Sequence, residues 1–258
     1  MPLRFVYDNT WDGLLTTFQW CLHNNIQPED ISPEQSGVNS LFGSPQAIQT
    51  IKSDAVNLRE QIKTKMGTYP LRYMYHAYLS EAKSMEDTLY QYLLLGLQMG
   101  KHINNFLTND YVHRVHTIAN KVMREKHRYL GLLRFSSIGE TLFSEFEPDY
   151  FILPLLAKPF FDRLGSEDFV IFDKKRKKAL IKEQDNLYFQ NVDEALIANL
   201  LTKASDKTYE QLWITYFKTI AITLRRNLKL QRSRVPFKCV PYLTESIAIE
   251  EEYGLGRD

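Results

Sequence analysis

Two basic segments contain the residues of this chain that are best suited to bind an anionic polymer. The first, residues 224–245, reads LRRNLKLQRSRVPFKCVPYLTE, with six Lys or Arg and no acidic residue before Glu245. Its cations surround a predicted helix and continue beyond it, which suits contact with a nucleic-acid backbone, or packing on a sheet, better than groove reading by one helix face. Its candidate nucleic-acid-binding residues are Arg225, Arg226, Asn227, Gln231, Arg232 and Arg234.

The second basic segment is the run KKRKK between the strand patterns FVIFD and ALIKE. A basic hairpin tip can lie along a nucleic-acid groove, where each Lys or Arg releases condensed counterions. A solvated turn that discourages aggregation at a sheet edge explains the same run equally well. Its candidate nucleic-acid-binding residues are Lys174, Lys175, Arg176, Lys177 and Lys178.

Polar side chains line one flank of the helix predicted within the segment 111–135, beside its apolar face. Imidazoles and a guanidinium without a carboxylate among them suit an anionic ligand better than a divalent metal, so we expect no metal site. Boundary residues with satisfied hydrogen bonds produce the same pattern, and this alternative is the commoner one. The candidate anion-binding residues are His113, His116 and Arg124.

Catalysis on this chain has three candidate residues, which are Glu125, His127 and Asn227. General acid-base chemistry requires a carboxylate or imidazole within about 3 Å of its proton partner, which a sequence does not establish. Arg134 lies in a strand pattern and is a further candidate nucleic-acid contact. An ion pair with Glu145 or Glu147 on the partner strand is its structural alternative.

The first half of the chain is predicted to be mainly helical. We expect a strand at 3–8, a helix at 10–24 capped by Thr10, a loop at 25–47, and helices over 48–129 with breaks near 67–70, 80–84 and 109–110. One of these helices carries an apolar stripe that predicts burial in a core. The stripe consists of Leu89, Leu93, Leu97 and Leu107.

The second half reads as strands with covering helices. We expect a hairpin over 130–148 that turns at 138–140, a helix at 149–164, a second hairpin, a short strand, and helices near 193–203 and 208–228. This order predicts an antiparallel sheet and an α+β fold. The chain, 1–258, is treated as one family unit that can be subdivided into 1–129 and 130–258.

Composition limits the class of protein. The 258 residues are 44% hydrophobic with a net charge of +1, so a core is expected and nucleic acid must be attracted by local patches. Two cysteines without metal-ligand spacing, no signal peptide and no long apolar run predict a cytoplasmic protein without membrane contact. Phosphate-loop, nucleophile-elbow and HExxH motifs are not found, so we expect no cofactor.

Seven short motifs follow one another along nearly the whole chain. They are VYDNTWDGLLT, LFG, AYLSE, MREKHRYLGLLRF, EPDYFILPLLAKPFFDRL, FVIFDKKRKKAL and LRRNLKLQRSRVPFKCVPYLTE. Together they resemble a bacterial family described as probable DNA metabolism or repair proteins. The family's C-terminal pattern, R-x-N-x-x-x-Q followed by Pro and L-x-E, falls on Arg225, Asn227, Gln231, Pro236, Leu243 and Glu245.

The resemblance implies a function linked to DNA. Members of that family occur beside a radical S-adenosylmethionine (radical SAM) protein thought to modify or repair DNA, and many are fused to a uracil-DNA glycosylase-like domain, which we do not expect in this chain. The resemblance therefore implies a nucleic-acid-binding accessory protein whose partners are DNA and a radical SAM enzyme. The alternatives are a stand-alone enzyme that processes damaged DNA and a protein-protein scaffold for the partner enzyme.

Overall fold

The chain folds into two compact units, Met1–Arg124 (unit 1) and Glu125–Asp258 (unit 2). The computed structural model describes residues 3–34, 45–193 and 237–244, together with single positions at 211, 212, 214–216, 219, 230 and 235. Both units combine helices with a sheet, and the predicted α+β class is confirmed. The helices predicted near 193–203 and 208–228 lie largely outside the described residues.

Unit 1 begins with a strand that enters a capped helix. Its elements up to residue 105 are β1 (Arg4–Tyr7), α1 (Trp11–His23), β2 (Asp30–Pro33), β3 (Gln46–Ala47), α2 (Lys52–Lys65), α3 (Thr68–Tyr78), α4 (Met85–Met99) and a 3₁₀ helix (Gly100–Asn105). The predicted cap is confirmed, since the Thr10 hydroxyl accepts a hydrogen bond from the Gly13 N–H at 2.9 Å. A Cβ at Gly13 would overlap Asp8 Oδ1, so a larger residue there would require the Asp8 side chain to move.

The small sheet of unit 1 is wholly parallel, in the order β2-β1-β3. The loop prediction for 25–47 was therefore wrong at β2 and β3, which are short strands that pair with β1. The predicted core stripe is confirmed at Leu89 and Leu93, which are fully buried, but it is wrong at Leu107, which is 50% exposed. Helix α4 ends at Gly100, whose positive φ of 64° breaks the helical period before Leu107 is reached.

Helix α5 (Asp110–Leu132) runs from unit 1 into unit 2. The Asn109 side chain starts it by accepting hydrogen bonds from the N–H groups of Tyr111 and Val112. The helix extends three residues past 129, where the first hairpin had been predicted to begin. Its buried face consists of Val112, Val115, Ala119, Val122, Glu125 and Tyr129.

Unit 2 continues with a five-stranded sheet in the order β4-β5-β6-β7-β8. The elements are β4 (Ser136–Ile138), β5 (Thr141–Phe146), α6 (Leu153–Leu164), β6 (Asp168–Asp173), β7 (Lys178–Glu183) and β8 (Asn186–Asn191), and a 3₁₀ helix spans Phe237–Tyr242. Three strand pairs are antiparallel, as predicted, but β5 and β6 are parallel. The sheet is therefore mixed, because α6 carries the chain back between β5 and β6 in the manner of a crossover connection.

A lysine is buried between β7 and α6. The Lys182 side chain is 1% exposed, and its Nζ donates a hydrogen bond to the Glu167 carbonyl at 3.0 Å. The ammonium also lies 5.6 Å from the ring centroid of Phe161 on α6. The Asp168 carboxylate, whose Oδ1 lies 3.9 Å from Nζ, joins the carbonyl and the aromatic face in replacing the water that this charge loses on folding.

Candidate functional site

The basic run at 174–178 forms the turn between β6 and β7 (the basic turn). Lys175 and Lys177 are exposed, and Lys177 has a left-handed backbone with φ of 52°. Lys174 pairs with Glu145 at 3.6 Å, and its ammonium lies 5.6 Å from the ring centroid of Tyr242. The turn thus has a defined conformation within unit 2, and Lys174 at its start contacts Glu145 and Tyr242.

Arg176 anchors the basic turn. Its side chain is 9% exposed and pairs at 3.1 Å with Asp173, whose side chain is completely buried. The guanidinium also donates to the carbonyls of Pro148 and Asp149 at 3.3 and 3.0 Å. Its central carbon lies 5.6 Å from the ring centroid of Phe151. Arg176 therefore neutralises a buried carboxylate, and its contact with nucleic acid remains a prediction, as do those of the lysines around it.

Glu125 is the centre of a buried polar cluster in unit 2. One carboxylate oxygen accepts from the Asp149 N–H at 2.9 Å and from Lys238 Nζ at 2.8 Å. The other oxygen accepts from the Tyr150 N–H at 2.9 Å. With both oxygens occupied and 4% of the residue exposed, this carboxylate ties helix α5 to the 149–150 segment and to the C-terminal 3₁₀ helix.

Lys238 bridges two carboxylates, since its Nζ also lies 2.6 Å from Asp149 Oδ2. Burial lowers the pKa of Lys238, but the hydrogen bonds to Asp149 and Glu125 outweigh that effect and leave the pKa raised. The hydrogen bond from Lys238 in turn lowers the pKa of the Asp149 carboxyl. Lys238, a cation of the C-terminal basic segment, thus forms ion pairs with residues of unit 2.

Tyr129 and Cys239 lie beside this cluster. The Tyr129 hydroxyl donates to the Glu147 carbonyl at 3.2 Å, and burial raises the pKa of that phenol. Cys239 is 1% exposed, and burial raises the pKa of its thiol as well. A protonated and buried thiol is a poor nucleophile, so Cys239 has the properties of a packing residue.

Arg134 lies between α5 and β4, so its predicted position inside a strand was wrong. Its guanidinium donates to the carbonyls of Gly131 at 2.8 Å and Leu133 at 3.3 Å, which lie at the end of α5. The carboxylate of Glu145, which had been considered as a partner of Arg134, pairs with Lys174. A cation that binds the last carbonyls of a helix also stabilises the negative end of its dipole.

The polar flank of α5 divides into a packed and an exposed part. His116 stacks on Tyr73 with ring centroids 4.2 Å apart and an interplanar angle of 15°, and its Nε2 has no hydrogen-bond partner among the described residues. Burial, followed by the nearby His113, lowers the pKa of His116. His113, Arg124 and His127 are exposed, and the guanidinium of Arg124 donates to the carbonyl of Asn120 at 3.2 Å. These residues are spread along the helix.

Unit 1 holds a half-buried carboxyl, that of Glu86, which the sequence did not reveal. The Tyr7 hydroxyl donates to Glu86 Oε1 at 3.1 Å, and the Tyr78 hydroxyl donates to the Asn9 carbonyl at 2.9 Å. Burial raises the pKa of Glu86 and of both phenols. Glu86 is the second residue of α4, and only its long-range contact with Tyr7 of β1 distinguishes it from other acidic residues of a first helical turn.

Several predicted site residues lie outside the described residues. They are Arg225, Arg226, Asn227, Gln231, Arg232 and Arg234. Within the described part of the chain, no group of three or more His, Cys, Asp or Glu side chains could hold a metal ion. Over the same residues, no helix has the length and apolar composition that a membrane span requires.

Sequence comparison gives the family of this chain and no function. No curated protein matches it. A family model described as a domain of unknown function, DUF4130, matches residues 83–245, which includes α4, α5, the basic turn and the Glu125 cluster. Because this match covers more than half of the sequence, the chain belongs to the DUF4130 family.

Proposed function

We propose that this chain is a nucleic-acid-binding accessory protein in DNA repair or modification and that it acts with a radical SAM enzyme. The sequence motifs that resemble DNA metabolism proteins support the cellular role. The basic turn supports the binding activity, and it is the observation that carries the proposal. Unit 2 fixes this turn through Arg176 while Lys175 and Lys177 remain exposed.

A fixed basic turn suits a phosphate backbone for a physical reason. Each lysine that contacts a phosphate releases counterions, and a turn whose backbone is already ordered loses little conformational entropy on binding. Lys175 donates to the Asp149 carbonyl at 3.0 Å, which keeps its ammonium close to the surface of unit 2. The cations are thus held in position before the ligand arrives.

Binding of DNA by the full chain over a range of salt concentrations tests this activity. The Lys175→Gln variant and the Lys177→Asn variant, whose asparagine tolerates the left-handed backbone, should each reduce the slope of log affinity against log salt by about 0.9 for duplex DNA. Lys158→Gln is a matched control, because Lys158 is an exposed lysine of α6 that pairs with Asp162. Absence of binding at low salt, with and without the enzyme, would refute the proposal.

The partnership needs a separate test. The purified chain should be retained by the immobilised radical SAM enzyme proposed as its partner, and DNA should increase that retention. Retention that is insensitive to DNA, by a chain that binds no DNA itself, would favour the scaffold alternative.

A further inference from the structure

Two segments of unit 1 are rich in cations. Residues 61–80 and 100–124 together carry seven Lys or Arg and a single acidic residue, Asp110, whereas residues 1–60 carry three Lys or Arg and seven Asp or Glu. The cation-rich residues form the end of α2, all of α3, the 3₁₀ helix and the unit 1 part of α5. Among these cations, Lys63 pairs with Glu60 at 2.7 Å and the Arg114 guanidinium donates to the Lys83 carbonyl, whereas Arg72 of α3 is exposed.

Aromatic rings are interleaved with these cations. Tyr69, in the first turn of α3, is 61% exposed, and the guanidinium carbon of Arg72 lies 5.0 Å from its ring centroid. Tyr73 follows one turn later, so α3 presents Tyr69 and Tyr73 on the same side. Tyr73 stacks in turn on His116 of α5.

The stack is joined to the rest of the unit. His116 lies 6.1 Å from Tyr92 of α4, measured between ring centroids, and the Tyr92 hydroxyl lies 3.5 Å from Asn104 Oδ1 in the 3₁₀ helix. The Tyr73–His116 stack is thus held in place by contacts with α4 and the 3₁₀ helix. Tyr69 and Arg72 lie beside this stack and are exposed to solvent.

We propose that Tyr69 and Arg72, supported by the Tyr73–His116 stack, bind single-stranded nucleic acid. An exposed ring offers a face on which an unpaired base can stack, and a neighbouring guanidinium adds attraction for both the base and a phosphate. A duplex is a poorer ligand for this surface, because its base faces are covered by stacking. An acidic polypeptide would require the positive charge but not the exposed aromatic ring. This inference rests on the proposed function, but it assigns a different surface and a preference for unpaired strands.

Fluorescence anisotropy with the full chain tests the inference. The probes are a labelled oligothymidylate of about 16 nucleotides, long enough to cover one single-strand site, and a duplex of equal length. Tyr69→Leu, which keeps an apolar side chain but removes the ring, should weaken oligothymidylate binding about tenfold and leave duplex binding nearly unchanged. Tyr69→Phe should bind the oligothymidylate as the unmodified chain does.

The contribution of the Arg72 charge to binding is tested in the same assay. Arg72→Gln should weaken oligothymidylate binding and reduce its log–log salt slope by about 0.7, the value for one phosphate contact on a single strand. Lys52→Gln is the matched control, because Lys52 is an exposed lysine of α2 in the acidic part of the same unit. It should leave oligothymidylate binding unchanged.

The outcomes separate this inference from the proposed function. If Tyr69→Leu binds both probes normally while the basic-turn variants lose affinity, the single-strand surface is refuted and the proposed function stands. If Tyr69→Phe weakens binding as much as Tyr69→Leu, stacking is refuted. Polyglutamate that displaces oligothymidylate equally well at equal charge would identify a site for acidic polypeptides instead. A chain that binds neither probe refutes both proposals.

Discussion

Glu86 of unit 1, which is half-buried, and Glu125 of unit 2, which is buried, show two ways to hold a carboxyl group away from water. Glu86 accepts a hydrogen bond from an uncharged phenol, Tyr7, and burial raises its pKa. Glu125 receives two backbone N–H groups and the ammonium of Lys238. The first arrangement tolerates a protonated carboxyl, whereas the second depends on a negative charge. The two units should therefore lose different amounts of stability when the charge of the respective glutamate is removed.

The largest effect is expected at the buried ion pair of the basic turn. Arg176→Leu leaves the fully buried Asp173 carboxylate without its guanidinium, which should lower the free energy of unfolding of unit 2 by about 4 kcal/mol. Urea denaturation followed by circular dichroism measures this change. Lys158→Leu is the control at an exposed ion pair and should change the same free energy by less than about 0.5 kcal/mol. Equal effects of the two variants would contradict the anchoring role.

The Glu125 cluster should be sensitive to loss of charge without loss of shape. In Glu125→Gln, an NH₂ group replaces one oxygen and faces a backbone N–H or the Lys238 ammonium, so one buried donor loses its partner. We expect a loss of about 2 kcal/mol in the free energy of unfolding of unit 2. Glu140→Gln, in the exposed turn after β4, is the control and should be neutral.

Acidification should act in opposite directions on the stability contributions of Asp149 and Glu86. The Asp149 pKa is lowered, so its contribution to stability is present above the ordinary pKa of about 3.9 and is lost as the pH falls through the lowered value. The Glu86 pKa is raised, so its contribution is complete below about 4.3 and is lost as the pH rises through the raised value. Amide hydrogen exchange, corrected for intrinsic rates, should show α4 gaining protection in mild acid and the 149–150 segment losing it in stronger acid.

The smallest effect is expected at Glu86. Glu86→Gln keeps an acceptor for the Tyr7 hydroxyl and removes a charge that burial disfavours, so the free energy of unfolding of unit 1 at neutral pH should change by less than about 0.5 kcal/mol or rise slightly. The pH dependence of α4 protection should disappear in this variant. A loss as large as that for Glu125→Gln would remove the distinction between the two carboxyls.

Local sequence patterns predicted the elements that depend on local contacts. The Thr10 cap, the breaks between helices α2 to α5 and the hairpin from β6 to β7 follow from capping, turn residues and hydrophobic period. The α+β class followed from their order. The structure gives the positions of the basic-turn residues, and the binding of nucleic acid by these residues remains a prediction.

Features that depend on distant contacts were missed. Strands β2 and β3 have four and two residues and form only by pairing with β1, so their own sequence carries no clear alternation. The parallel pairing of β5 with β6 depends on how α6 packs. Glu125 and Lys238 are 113 positions apart, and no local pattern connects a helical glutamate with a lysine in a Pro-containing segment.

The burial of Lys182 gives the chain an internal reference for chemical footprinting. Amine-reactive reagents modify lysines in proportion to their access to solvent, and the Lys182 side chain is 1% exposed whereas that of Lys158 is 85% exposed. In a labelling experiment, the first should remain unmodified in the folded chain and the second should be modified fully. The labelling of Lys175 and Lys177 can be scaled between these limits, so that protection by a bound ligand is distinguished from a change in folding.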